Sequence, residues 1–275
     1  TAPSYAAIAN LAVEDGTGAN LWPDQPLSTV TTYSTAGATT SVGVEFNGGY
    51  FVSATANAGS GQYRTLFRLQ GPNRGTEQGY NRITSGGDFD ASLGPSSSPF
   101  IRKQDLVTSE DGNFYVFSFD ANEGGQNPKL VSLDQFRIYT RNDGDGDVNT
   151  IEDPSPLPNT FAQIDNLGDL RYDMNLGGGT NTVVVEAGGS GNADMFVFVP
   201  VANFADDADN DLVYLYADHG NLAPANGYTF TTTSGFEEWS IPVDVTGQPT
   251  FNVPEPTSAF FSLLSVGLLA IRRKR

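Results

Sequence analysis

Short apolar runs of strand length, each closed by glycine- or asparagine-rich turns, recur along the first 250 residues, while helical spacing is almost absent. That pattern restricts the chain to sheets. Residues 27–33, 41–46, 50–56, 63–70, 129–140, 170–174, 182–185, 195–199, 212–216, 228–232 and 236–245 read as strands. Asn47-Gly48-Gly49 reads as the turn of a hairpin between the second and third of these. Residues 114–119 are apolar on both faces, which predicts an interior strand. Only residues 5–13 and 106–109 are compatible with helix. About a dozen short strands predict an all-β fold, a β-sandwich of jelly-roll-like type over residues 1–250. A long β-helix would show a fixed repeat, and none is visible. Residues 70–99, rich in Gly, Ser, Asn and Pro, read as a loop or as a linker between two subdomains. The body then divides near residues 100–128.

Composition narrows the chemistry. The chain has no cysteine and one histidine, His219, so thiolate zinc sites, iron–sulfur clusters, cysteine nucleophiles and histidine metal clusters are excluded. The formal net charge is -18. Setting aside the four basic residues at the C-terminus leaves ten basic against 32 acidic residues, a balance of -22. Such a body repels nucleic acid and anionic lipid, and favours cations or neutral sugars as small partners. The sequence opens at Thr1 without a basic, apolar leader, which reads as a removed secretory signal or as a fragment.

The last segment departs from the β pattern. Val253-Pro254-Glu255-Pro256 is followed by an apolar run over residues 259–271 and by Arg272-Arg273-Lys274-Arg275. The prolines end the β body, the run predicts a short hydrophobic helix, and the basic end favours the cytoplasmic side of a membrane. The run is shorter than the roughly 20 residues of a full span. It has no polar face to present on a soluble surface.

This order of Pro-Glu-Pro, hydrophobic helix and Arg-rich terminus resembles the PEP-CTERM sorting domain of Gram-negative bacteria that make extracellular polysaccharide. The resemblance covers residues 253–275. It implies recognition by an exosortase near Pro254, Glu255 and Pro256, with transient inner-membrane anchoring and delivery to the cell surface or extracellular matrix. The second half resembles the β domains of the same proteins in Leu133-Asp134-Gln135-Phe136, Leu167-Gly168-Asp169-Leu170, Val213-Tyr214-Leu215-Tyr216 and Gly235-Phe236-Glu237-Glu238-Trp239. That likeness implies no activity.

Two acidic stretches carry metal chemistry in their spacing. Residues 142–153 place Asp143, Asp145, Asp147, Asn149 and Asp153 in a Gly-rich turn. Counted from Asp145, the acceptors fall at the first, third, fifth and ninth positions of a calcium loop. Thr150 stands at the sixth position and Pro156 at the twelfth, so an EF-hand is not expected, but a looser calcium-bound turn is. Asp207, Asp209 and Asp211 alternate in the same way ahead of a strand. Calcium would relieve the repulsion in both; a solvated acidic turn is the alternative.

Other signals are weaker. His219 follows Asp218, but no nucleophile motif is near. Glu237 and Glu238 beside Trp239 invite a glycosidase pair, yet neighbours on a strand face opposite ways. Trp22, Tyr80 and Trp239 are candidates for a sugar-stacking platform, with Trp239 more at home in a core. Residues 188–192 read as a hairpin loop and 177–179 as a turn, not as a phosphate cradle. The sequence therefore predicts a non-enzymatic, exported structural or interaction protein, able to self-associate. A calcium-dependent carbohydrate-binding module for exopolysaccharide is the alternative, and a jelly-roll glycoside hydrolase or lyase the third reading.

Overall fold

The computed structural model describes residues 7–12, 31–34, 40–54, 63–71, 75–82, 87–90, 92, 98–122, 130–142, 158–187, 193–209, 211–224, 228–232 and 235–243. Within them lie thirteen strands: β1 (Ile8–Asn10), β2 (Thr31–Ser34), β3 (Thr40–Phe46), β4 (Gly49–Ser53), β5 (Tyr63–Leu69), β6 (Glu77–Tyr80), β7 (Phe114–Ala121), β8 (Leu130–Arg141), β9 (Asp169–Asp173), β10 (Thr182–Glu186), β11 (Met195–Pro200), β12 (Leu212–His219) and β13 (Glu237–Pro242). They form an all-β sandwich. One sheet runs β1-β10-β8-β12-β6, with β9 also on β8; the other runs β2-β3-β4-β11-β7-β13-β5. Every pairing is antiparallel except β1 with β10. From β5 onward the chain passes repeatedly between the sheets, as a jelly-roll-like topology requires.

Alternation decides which face each strand buries. On β12, Val213, Leu215 and Ala217 enter the shared core with Phe136 and Ile138 of β8 and Phe117, Phe119, Val197 and Trp239 of the facing sheet. Leu212, Tyr214 and Tyr216 point outward, under Phe89 and under Ile164 and Leu167 of the short 3-10 helix Phe161–Leu167. The second sheet buries an outer cluster as well: Val52, Phe114, Val116, Phe196 and Phe198. This is why residues 114–119 and 195–199 read as apolar on both faces, and β7 and β11 are interior strands.

The β3–β4 hairpin is specified by Asn47-Gly48. Both have positive φ, 51° and 81°, and Phe46 pairs with Gly49 across the two-residue loop. Its tip is fastened to the opposite sheet. Asn47 Nδ2 donates to the carbonyls of Asp173 and Met174 at 3.0 and 2.9 Å, and Tyr172 Oη donates to the carbonyl of Phe46 at 2.6 Å.

Several expectations are corrected. The stretch 5–13 forms no helix in its described part but β1, because Ala9 and Leu11 enter the core at a spacing of two while Leu11 N–H bonds to Val184. Residues 106–109 are extended, after a single 3-10 turn over Lys103–Asp105. Residues 228–232 form no strand; Thr232 makes one bridge to Gly75, and Phe230 is buried in a side cluster. Residues 188–192 lie outside the described residues, but the strands they join, β10 and β11, belong to different sheets, so the connection is no hairpin. The stretch 70–99 is not all loop. It contains β6 and then crosses to the other sheet, where Ser92 N and Ser98 Oγ donate to the carbonyls of Arg68 and Leu66 on edge strand β5, at 3.0 and 2.7 Å. An edge capped in this way is closed to strand addition.

Residues 253–275 lie outside the described residues. Among those described, no helix is long and apolar enough to cross a membrane.

Candidate functional site

The acidic loop Asp143, Asp145, Asp147, Asn149 and Asp153 lies outside the described residues, as do Pro254, Glu255, Pro256, Arg272, Arg273, Lys274 and Arg275. The second acidic stretch is described except for Asn210. It follows the 3-10 turn Val201–Phe204 and leads into β12 at one end of the sandwich. Leu212, the first residue of β12, pairs with Arg141, the last of β8. The end of β8 therefore lies beside the point where the chain leaves the stretch 206–211.

The three predicted ligands have different surroundings. Asp207 has a side chain only 1 % exposed. Its Oδ1 accepts from Thr140 Oγ1 at 3.1 Å and from Arg171 Nη2. Arg171 Nε in turn donates to Thr140 Oγ1 at 2.7 Å. Lys103 Nζ donates to the Asp207 carbonyl at 2.6 Å. Asp211 is buried, and its Oδ2 accepts from Ala208 N at 3.0 Å. Asp209 is exposed at the rim, 3.8 Å from Lys103 Nζ. Burial raises the Asp207 carboxyl, Thr140 and Arg171 oppose the rise, and the charge of Asp211 adds to it. Among the described residues, no three carboxylate or imidazole groups are close enough to hold a metal ion.

A second polar site went unread in the sequence. β8 is twelve residues long and changes partner along one edge, from β10 at Leu130–Leu133 to β9 at Arg137–Thr140. At the change its pairing with β12 slips by one residue, from Asp218↔Gln135 to His219↔Leu133, leaving Asp134 as the extra residue of a β-bulge. Asp134 Oδ1 accepts from Thr182 Oγ1 at 3.1 Å, and its Oδ2 accepts from Ser132 Oγ and Asn221 N, both at 2.7 Å. Asn221 Nδ2 donates to Asp218 Oδ1 at 2.7 Å, so one asparagine spans both carboxylates. Burial pushes Asp218 up to about 7, Asn221 opposes this, and Asp134 and Asp90 reinforce it. Asp134 is raised too, chiefly by burial. A carboxyl of this kind keeps a proton near neutrality and can donate it in a hydrogen bond. Gln78 and Gln135 flank Asp218 in register, and Phe161, 42 % exposed, packs on Tyr216 two residues away. The signal was present in Leu133 and Phe136: both are core residues, yet they stand three apart where a regular strand would place them two or four apart.

The remaining candidates are structural. His219 is fully buried and stacked on Phe119, with ring centroids 4.8 Å apart. Trp239 Nε1 donates to His219 Nε2 at 3.1 Å, which fixes the imidazole proton on Nδ1. Burial lowers His219 to about 3, so it is neutral at physiological pH. Glu237 and Glu238 face opposite ways, as expected of strand neighbours: Glu237 is buried, while Glu238 pairs with Arg68 and accepts from Thr65 Oγ1 at 2.6 Å. Tyr80 is buried and offers no platform for sugar rings, which corrects that expectation, while Trp239 takes the core position favoured for it; Trp22 lies outside the described residues. The turn expected at residues 177–179 falls at residues 174–178.

Comparison with protein-family models, curated proteins and solved structures finds no match to this chain.

Proposed function

We propose that this chain is an exported surface protein of a Gram-negative bacterium, whose β-sandwich is a structural or interaction unit of the extracellular matrix. The observation that carries the reading is the order of residues 253–275: proline hinge, apolar run, basic end. The apolar run of such a segment gains free energy in the core of a bilayer, and its basic end gains it at the cytoplasmic headgroups. An exosortase acting near Pro254-Glu255-Pro256 is the partner during export, and the inner membrane is the transient anchor. Self-association and contact with exopolysaccharide belong to the mature body. Calcium held by Asp143, Asp145, Asp147, Asn149 and Asp153 would offset part of the charge imbalance.

The direct test is the triple substitution Pro254→Ala, Glu255→Ala, Pro256→Ala in the native host. The reading expects a longer, unprocessed form held in the inner-membrane fraction. Normal processing and delivery of that variant would sink it.

A second reading is supported by the bulge. Gln78, Asp218, Gln135 and Asn221 present amide and carboxyl groups on one face beside half-exposed Phe161, a combination suited to sugar hydroxyls and an apolar ring face. Binding of the purified body to matrix polysaccharide, weakened at least fivefold by Asp218→Ala, is the expected result for a carbohydrate-binding module. Absence of binding removes this reading, and release of shortened glycans would turn it into that of a hydrolase or lyase.

A further inference from the structure

Asp207 and Asp211 are each more than nine-tenths buried, and each keeps one carboxylate oxygen, Asp207 Oδ2 and Asp211 Oδ1, that is buried without a hydrogen-bond partner. Carboxylate oxygens carry lone pairs only, so a donor or a cation is the only favourable neighbour. Leaving both unmet is among the costlier defects a fold can carry. The Asp211 carboxylate is held against the backbone N–H of Ala208, the residue next to Asp207, at 3.0 Å, so both side chains belong to one tight turn. They are also held rigidly. Oδ1 of Asp207 is fixed by Thr140 and Arg171, Oδ2 of Asp211 by Ala208 N, and the backbone between them by Gln104 N on the Asp209 carbonyl and Lys103 N on the Asp211 carbonyl.

The local charge favours a positive ligand. Asp206, Asp207, Asp209, Asp211 and Asp169 surround this turn. Against them stand Lys103, 3.8 Å from Asp209, and Arg171, 3.6 Å from Asp169 and paired with Asp207. Arg102 and Arg141 border the turn through their pairing with Leu212, so the five carboxylates outnumber the cationic side chains by one.

We propose that Asp207 Oδ2 and Asp211 Oδ1 together bind a hydrated divalent cation of the calcium type, seated behind the turn that leads into β12. Two carboxylate oxygens supply the fixed minority of a shell of about six to eight oxygens, and water supplies the rest. Calcium tolerates such an irregular shell better than magnesium, which demands near-octahedral geometry. Asp209, at the rim, draws the ion in electrostatically and is not one of its fixed ligands. The site does not depend on how the protein is exported, so its failure would leave the sorting reading untouched.

The test uses the full chain, stripped with chelator and titrated with Ca²⁺ or with Tb³⁺ as a luminescent substitute. Tyr115 packs on Phe204 with ring centroids 5.0 Å apart, and the Phe204 carbonyl accepts from Asp207 N at 3.2 Å, so the tyrosine lies near enough to sensitise terbium there. The expected results are a saturable rise in melting temperature with Ca²⁺, at least a tenfold loss of affinity in Asp211→Asn, and a large loss of tyrosine-excited Tb³⁺ emission in Tyr115→Phe with Ca²⁺ affinity retained. Asn at 211 keeps a side-chain oxygen for Ala208 N, so that variant should fold. Asp145→Asn with Asp147→Asn should keep the response. The proposal is overturned if Ca²⁺ and Tb³⁺ have no effect, or if the response survives Asp211→Asn and vanishes with the 145/147 pair. It is equally overturned if acidification alone, without a metal response, stabilises the wild type and not Asp211→Asn, since a shared proton would then fill the gap.

Discussion

Trp239 on β13 and His219 on β12 are joined across the core by an indole N–H donated to Nε2 at 3.1 Å, so the two sheets share a buried polar bond as well as apolar contact. Replacing Trp239 by Phe removes the donor, leaves the imidazole nitrogen unmet in a fully buried setting, and opens a void. The expected loss is about 2–4 kcal/mol, read by urea unfolding. His219→Phe removes both polar partners' mutual need only in part, because the indole N–H is then orphaned. It should cost less than Trp239→Ala.

The pH dependence follows from two buried groups of opposite sign. His219 sits near 3 in the folded chain against an ordinary value of 6.5. Its contribution to stability is complete above pH 6.5 and is lost as pH falls toward 3, because the unfolded chain takes up the proton first. Asp218 sits near 7 against about 4 when unfolded. Its contribution is complete below pH 4 and is lost as pH rises to 7. Between pH 4 and 6.5 the two oppose each other, and the wild type should show a shallow stability profile there.

Asp218→Asn separates them. The substitution removes the burial cost of the charge while keeping a polar group beside Asn221. It should stabilise the protein at pH 8 by on the order of 1–2 kcal/mol and leave a profile that falls steadily below pH 6.5. Chemical unfolding at pH 4, 6 and 8 checks both. A destabilised Asp218→Asn at pH 8 would show that the carboxylate is compensated.

Gly49 is constrained by an approach across the sandwich rather than by its own φ. A Cβ there would lie 2.5 Å from Tyr172 Oη and 2.6 Å from Tyr172 Cζ. Gly49→Ala should therefore displace the tyrosine, break its 2.6 Å bond to the Phe46 carbonyl, and cost about 1–3 kcal/mol. Tyr172→Phe alone should cost about 1 kcal/mol. Because the two share one contact, the double variant should lose less than the sum, which a thermodynamic cycle measures.

Much of this architecture was legible from local patterns. The Asn47-Gly48 hairpin, the two-sided apolar strands β7 and β11, the core position of Trp239 and the opposed faces of Glu237 and Glu238 all follow from period-two alternation and turn chemistry. Residues 5–13 misled because alanine and leucine fit helix by propensity; backbone bonding to β10 overrode it. β6 was hidden because Gln78 and Gly79 lack strand character, and only pairing with β12 makes Glu77–Tyr80 a strand. The candidate sites were less legible. Spacing named Asp207 and Asp211 but not Arg171, Thr140 and Lys103, which come from distant segments. The Asp134–Asp218 pair depends on a bulge whose only trace is the three-residue step from Leu133 to Phe136.

Removing residues 253–275 separates the β-sandwich from the segment proposed to sort it. With the remaining 252 residues expressed in the native host, the inner-membrane intermediate should disappear, and the protein should accumulate in the periplasm instead of at the cell surface or in the matrix. Surface delivery equal to that of the full chain would contradict the account.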